Sequence, residues 1–196
     1  MRPYYDHAGI TIYHGDCRDV LPYIPAADLV LTDPPYPNKA GHFVYGIARA
    51  RWFLRTYQAK RFMVFWHQLA RPPVPLPLVA HHIWHRTNTN RPDNYEAIYE
   101  FADEPEKPSM VLPYAVIYPG LTGCYEATGH PTQKNKKLLM RLLQLRPHAL
   151  ALDPFMGSGT MLDAAKTLGM PAIGIDIEER WCEAAAMRLQ QEVLQL

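Results

Sequence analysis

Asp33 follows the apolar run Leu29-Val30-Leu31-Thr32 and is itself followed by Pro34, Pro35 and Tyr36. A strand ending this way delivers a carboxylate, a stiffened backbone and a flat aromatic ring to one place. Such a group suits polarisation of a weakly nucleophilic amine. Asp33 would accept one N–H, the Pro34 carbonyl the other, and Tyr36 would stack on the planar group that carries the amine. Much further along, Leu152-Asp153-Pro154-Phe155-Met156-Gly157-Ser158-Gly159-Thr160 reads as an apolar strand, a glycine turn and a helix start. This is how a backbone passes close to a nucleotide-like ligand. It is not the dinucleotide fingerprint G-x-G-x-x-G, because Leu162 stands at the third glycine position, which disfavours a pyrophosphate site. The next strand, Ile173-Gly174-Ile175, ends at Asp176-Ile177-Glu178, about where a carboxylate that binds ribose hydroxyls is expected. Taken singly, each motif is an ordinary turn, with Asp176 a helix cap. Together they describe one site.

The elements that must position these residues alternate between strand and helix, the mark of a layered α/β chain. Strands are expected at Gly9 to Tyr13, Asp28 to Thr32, Phe62 to Trp66, Ala149 to Asp153 and Ala172 to Asp176. A hairpin-like pair is expected at Leu78 to Arg86 and Tyr95 to Phe101, around the polar turn Thr87 to Asn94. Phe62-Met63-Val64-Phe65-Trp66 is apolar throughout, as in a strand buried on both faces. Helices are expected at Ile47 to Ala59, Lys134 to Leu145, Thr160 to Leu168 and Glu178 to about Leu194, with a loop from Pro37 to about Gly46. The prolines 72, 73, 75 and 77 fit an extended connection. Ala102 to Gly129, rich in proline and glycine, reads as a short insert within a single domain spanning residues 1–196.

Nothing in the chain has the length and apolarity of a membrane span, and the first residues lack the apolar core of a secretion signal, so the expected location is the cytoplasm. Cys17, Cys124 and Cys182 are odd in number, with no C-x-x-C pair, so neither a disulfide framework nor a metal site is indicated. Net charge is +1, but it is unevenly spread. No Asp or Glu occurs from Asn38 to Arg91, where Lys39, His42, Arg49 and Arg51 stand nearest the Asp33 loop and are candidate phosphate contacts. An acidic stretch follows, from Asp93 to Glu106. The alternative is that the two stretches balance one another in three dimensions.

Asp-Pro-Pro-Tyr followed by Asp-x-Phe-x-Gly-x-Gly-Thr and Gly-Ile-Asp resembles the amino-methyltransferases of DNA, over most of the chain. The resemblance implies a Rossmann-like methyltransferase fold: a seven-stranded, mostly parallel sheet with helices on both faces, in the circularly permuted, beta-type motif order. It implies S-adenosylmethionine as cofactor. Asp153 and Phe155 would then line the methionine side, and Asp33, Pro154, Gly157, Ser158, Gly159 and Thr160 would also contact the cofactor. Asp16 and Cys17 would approach the adenine, and Asp176, Ile177 and Glu178 the ribose. His130-Pro131-Thr132-Gln133-Lys134 resembles the family's element near the methionine carboxylate, with His130, Thr132, Gln133 and Lys134 as contacts. Asn135 replaces its usual final proline and is expected to loosen the turn.

Catalysis is then expected of Asp33, Pro34, Pro35 and Tyr36, acting on a base taken out of duplex DNA. No protein nucleophile is needed, and none of the three cysteines follows a proline. The Asp-Pro-Pro-Tyr form resembles adenine N6 enzymes. Cytosine N4 or RNA base methylation, or a non-catalytic DNA-binding subunit, are the alternatives. Family members often form homodimers; a partner restriction endonuclease is left open.

Overall fold

The computed structural model describes residues 1–36, 46–67, 70–89, 94–115 and 133–190. In chain order the strands are β1 (Tyr5–His7), β2 (Ile10–His14), β3 (Leu29–Thr32), β4 (Arg61–Trp66), β5 (Leu78–Arg86), β6 (Tyr95–Ala102), β7 (Val111–Tyr114), β8 (Ala151–Asp153) and β9 (Ala172–Asp176). The helices are α1 (Cys17–Val20), α2 (Ile47–Thr56), α3 (Lys136–Leu143), α4 (Thr160–Thr167) and α5 (Glu179–Gln190), with a 3-10 turn at Leu21–Tyr23.

The strands form one sheet in the order β1-β2-β9-β8-β3-β4-β6-β5-β7. From β2 to β4 the pairings are parallel, whereas β6 runs antiparallel to both β4 and β5. The seven expected strands are all present, and two more lie at the edges. β1 folds back on β2 as a hairpin, and β7 pairs parallel with β5. The insert expected from Ala102 therefore begins by extending the sheet.

Strand periodicity sorts the side chains into two cores. Leu29, Leu31, Met63 and Phe65 face α3, α4 and α5, joining Leu138, Leu142, Leu162, Cys182 and Leu189. Val30, Phe62, Val64 and Trp66 point the other way, with Cys17 and Val20 of α1 and Phe53 and Leu54 of α2. Each such fully buried side chain contributes about 1.5–3 kcal/mol relative to exposure. Helices thus cover both faces, and the fold is a mostly parallel, Rossmann-like α/β sheet.

The chain leaves β3 toward α2 on one face and leaves β8 toward α4 on the other, although β3 and β8 are hydrogen-bonded neighbours. That divergence opens a crevice at the carboxyl ends of the two strands, the place where open α/β sheets bind ligands. The opposite ends are stitched by Asp28, whose carboxylate accepts the N–H groups of Ala149 and Leu150.

The uneven charge is partly spent inside the sheet. β6 lies between β4 and β5, so Glu100 meets Arg61 on one side and His82 on the other, with Arg146 also bound to it. Burial alone would raise the Glu100 carboxyl, but His82, Arg146 and Arg61 hold it down to about 2. Basic and acidic stretches meet here as internal ion pairs, which leaves less of the basic stretch free for an outside partner.

Candidate active site

The crevice is a cavity of about 660 Å³. Its walls come from the ends of β3, β8 and β9, from β5 and β6, and from the start of α3. Asp33, Pro34, Pro35 and Tyr36 line it, and so do Asp153, Pro154, Phe155, Gly157, Ser158 and Thr160, together with Asp176, Ile177 and Glu178. Segments far apart in the chain therefore share one wall because β3, β8 and β9 end side by side.

At the cofactor end the glycine turn is shaped by backbone that other residues do not adopt readily. Gly157 and Gly159 have φ of +50° and +72°, and Gly159 caps α4. A Cβ on Gly159 would stand 2.6 Å from the Cβ of Ala185. The Gly157 N–H donates to Asp176 Oδ2 at 2.9 Å and the Glu178 N–H to Asp176 Oδ1 at 2.9 Å, so Asp176 holds the turn in place while lining the cavity. Burial raises its carboxyl despite these donors. Phe155 meets Phe53 of α2 edge to face at 6.0 Å.

Asp153 is buried at the junction of the two motifs. Thr32 Oγ1 donates to Asp153 Oδ1 at 2.7 Å, and the Phe155 N–H donates to the same oxygen at 3.1 Å. Burial nevertheless pushes this carboxyl up to about 7, with Asp33 and Asp176 adding to the rise.

The chemical end is a linked set of charges. Lys134 contacts Asp33 Oδ2, and its Nζ lies 3.4 Å from Glu96 Oε1. Tyr36 donates its hydroxyl to Glu96 Oε1 at 2.9 Å, and Arg86 Nη2 donates to Glu96 Oε2 at 3.0 Å. The Lys134 ammonium also lies over the Phe65 ring at 5.0 Å. Burial drives the Asp33 carboxyl upward; Lys134 opposes this and Glu96 reinforces it. For Glu96 burial is outweighed by Lys134 and Arg86, and the carboxyl is lowered. Lys134 is raised, its two carboxylates outweighing burial. Asp33 Oδ1 is buried and makes no hydrogen bond.

Some expected residues fall elsewhere. Asp16 caps α1 and pairs with Arg18 and Arg49, which brings its carboxyl to about 2, so Gly15 and Cys17 rather than Asp16 line the cavity. The Cys17 thiol is pushed up to about 12 by burial. Arg49, expected at a phosphate, points instead to Asp16 at 3.0 Å and lines the cofactor end; Arg51 is exposed on α2. Lys134, expected near the methionine carboxylate, pairs with Asp33, and Gln133 lines the cavity beside it. Lys39, His42, His130 and Thr132 lie outside the described residues. Asn135, expected to loosen a turn that lies mostly outside the described residues, is itself held by two hydrogen bonds. Its Oδ1 accepts the Leu138 N–H at 3.2 Å and caps α3, while its Nδ2 donates to the Ala115 carbonyl at 2.9 Å. Arg86 and Glu96 also line the cavity; in sequence, Trp84, His85, Arg86 and Asn88 followed by Glu96 and Ile98 resemble the strand pair next to the family's catalytic loop, with no role implied for either residue. Their signal in the residues themselves is one of two Glu, with Glu100, inside an otherwise apolar strand, Tyr95 to Ala102, and an Arg ending its partner.

A family model described as DNA methylase, covering N6 and N4 methyltransferases, matches residues 75–187. The chain belongs to this amino-methyltransferase family. Its methyl donor is S-adenosylmethionine, and its substrate is an exocyclic amino group of DNA, at adenine N6 or cytosine N4. Among similar proteins are "Putative methylase YubD" of Escherichia coli (strain K12), 28% identical with 89% of this chain and 88% of that protein covered. Type II methyltransferase M.ScaI of Streptomyces caespitosus is 23% identical, with 100% and 86% covered. Two solved structures share the fold. The M1.HpyAVI–SAM complex has a TM-score of 0.69 at 22% identity, covering 93% of this chain and 100% of that one. The PvuII cytosine-N4-specific methyltransferase has a TM-score of 0.73 at 18% identity, covering 99% and 91%.

Among the described residues this amino-methyltransferase has no helix long and apolar enough to cross a membrane and no cluster of potential metal ligands.

Proposed function

We propose that the protein methylates adenine N6 in duplex DNA, with Asp33, Pro34 and Tyr36 acting on a base turned out of the helix. The single observation that carries this reading is Asp33 Oδ1. It is a buried carboxylate oxygen without a hydrogen bond, on a proline-stiffened loop, beside a cofactor-type turn. Leaving such an oxygen unpaired costs about 1–3 kcal/mol, which an amino N–H of the target base would recover.

S-adenosylmethionine, when bound, supplies a methyl on a sulfonium. Asp176 and Glu178 would hold its ribose hydroxyls, and Asp153, Phe155 and Gly157 would line its methionine end. The chain's own part in the transfer is positioning. Asp33 Oδ1 accepts one amino N–H and the Pro34 carbonyl the other, which localises the nitrogen lone pair and stabilises the positive charge growing on it. Lys134 keeps Asp33 ionised until the base arrives. Tyr36 is fixed by its bond to Glu96, so its ring offers a preset stacking face.

The Asp-Pro-Pro-Tyr form supports adenine over cytosine. The segment from Ala102 to Gly129, beyond its β7 strand, is the candidate reader of target sequence within a single domain. The decisive experiment incubates the protein with labelled cofactor and unmethylated duplex DNA, digests the product and identifies the modified nucleoside by mass spectrometry. N6-methyldeoxyadenosine is expected. N4-methyldeoxycytidine would overturn the choice of base and keep the chemistry. Asp33→Ala should bind cofactor normally and lose transfer, and unimpaired transfer by that variant would remove Asp33 from its role.

A further inference from the structure

Among the described residues of the cavity three side-chain atoms are buried without a hydrogen bond; Arg49 Nε is ion-paired with Asp16 at 3.0 Å, which leaves Asp33 Oδ1, an acceptor, and Arg86 Nε, a donor. Buried polar atoms are nearly always paired, so an unpaired donor and an unpaired acceptor in one cavity call for a partner that offers the reverse. Arg86 is not loosely placed. Its Nη2 donates to Glu96 Oε2 at 3.0 Å, and its guanidinium lies over the Trp84 ring at 5.3 Å. Glu96 contacts Lys134, and Lys134 contacts Asp33, so the orphan donor and the orphan acceptor belong to one chain of charges.

We propose that Arg86 is a base-reading residue, donating its Nε–H to the unprotonated ring nitrogen next to the amino group that Asp33 holds. This rests on the reading of the cavity as the target-base site. The chemistry of the bases explains why one donor and one acceptor suffice. Adenine presents an N6 amino group beside N1, and cytosine an N4 amino group beside N3; each is a donor flanked by an acceptor. Guanine offers its N2 amino group beside N1–H on the Watson–Crick edge, where Arg86 Nε would face another donor, and beside unprotonated N3 on the opposite edge, so only its Watson–Crick edge is refused. Thymine has no amino group for Asp33. The pair therefore admits adenine and cytosine and rejects thymine, while leaving the exclusion of guanine by its N3 edge, and the choice between adenine and cytosine, to the shape of the cavity.

Donation to the ring nitrogen holds the base equally before and during methyl transfer. It belongs to binding more than to the chemical step, so its loss should raise KM for DNA and leave kcat within a few fold.

The test is a double-mutant cycle between protein and DNA. The duplex carries the target base found by product analysis, or its deaza analogue with that ring nitrogen replaced by carbon (1-deazaadenine or 3-deazacytosine). Wild-type protein should lose roughly 10- to 100-fold in kcat/KM on the analogue, the scale of a charge-assisted hydrogen bond. Arg86→Met should lose a similar factor on the normal duplex and nothing further on the analogue. Wild-type indifference to the analogue, or an equal further loss in Arg86→Met, would overturn the proposal. Calorimetry with S-adenosylmethionine reports whether Arg86→Met is folded. If it is not, Arg86→Lys, which keeps a cation for Glu96 but has no Nε–H, runs the same cycle, and retained sensitivity to the analogue refutes the role. No methylation of the normal duplex by wild-type protein would instead defeat the underlying base-methylation reading.

Discussion

Replacing Lys134 by methionine removes the main contact that favours the ionised form of Asp33. Asp33 is pushed toward its neutral form by burial and by Glu96, and Lys134 is the largest opposing influence, with Arg86 a smaller one. A unit charge about 4 Å away at an effective dielectric near 20 is worth about 4 kcal/mol. At 1.36 kcal/mol per pH unit that is an upper limit of about 3 units. The side chain of Asp33 is 24% exposed and Arg86 stays behind, so the realised shift should be about 1–3 units. Methionine fills the space over Phe65 and Trp84 without the charge. The sign is fixed. In the proposed role of Asp33 transfer needs the carboxylate, so activity is lost as pH falls through the Asp33 pKa, and a higher pKa moves that acid limb to higher pH. Single-turnover methylation from about pH 5 to 10, at saturating cofactor, should show Lys134→Met impaired near neutrality and recovering in base. A rate reduced by one factor at every pH, with the acid limb unmoved, would refute Lys134 as the electrostatic support of Asp33.

Asp153 gives a stability prediction of the opposite kind. Its folded pKa, near 7, exceeds the unfolded value of 3.8, so the folded state binds the extra proton between them and stability falls as pH rises through that window. Asp153→Asn, which can still accept from Thr32 and Phe155, should gain about 1–4 kcal/mol at pH 8 and nothing near pH 4 by urea titration; an equal effect at both would refute the assignment. Gly159→Ala combines a left-handed backbone with a Cβ 2.6 Å from Ala185 and should lose about 2–4 kcal/mol in the same assay. Asp176→Ala should weaken S-adenosylmethionine binding by roughly 10- to 100-fold in calorimetry, since the ribose contact and the tether of the Gly157 N–H go together. Unchanged affinity would move the ribose contact to Glu178.

Elements driven by local pattern were legible in the sequence. The apolar run of β4 and the two long strands around residues 87–94 needed only periodicity, and α3 is two residues shorter than expected at each end, starting at Lys136 after its Asn135 cap and stopping at Leu143 before Gln144. α2 stops at Thr56 because Tyr57 turns extended, its hydroxyl accepting the Ala27 N–H. The two missed strands carry no such pattern. β1 is Tyr-Asp-His, and its pairing comes from a turn in which Ala8 and Gly9 both have positive φ, a weak signal in sequence. β7 contains Pro113, which argues against a strand except at a sheet edge, and an edge is where it lies. The site divides in the same way. Carboxylates at strand ends announced themselves through the turns that follow them. Arg86 and Glu96 were set beside the Asp33 loop by the family resemblance alone and without a role, because that role depends on β5 and β6 lying beside the loop, a relation no spacing along the chain encodes.

The motif order follows from the same logic. The catalytic element precedes the cofactor element in the chain, yet β3 and β8 pair directly, Leu29 with Ala151 and Val30 with Leu152. Strand neighbours are chosen by pairing and burial, so the chain may enter the sheet at either half provided the two strands still end together. What must be kept is the junction, and here it is a single hydrogen bond: Thr32, the residue before Asp33, donates to Asp153, the first residue of the cofactor turn. Through it Asp33, proposed to polarise the base, and Asp153, proposed to line the methionine end, are tied together by one side-chain contact at the end of two paired strands. In-line transfer demands that kind of mutual placement, because both reactants must be held by a frame stiffer than the loops around them.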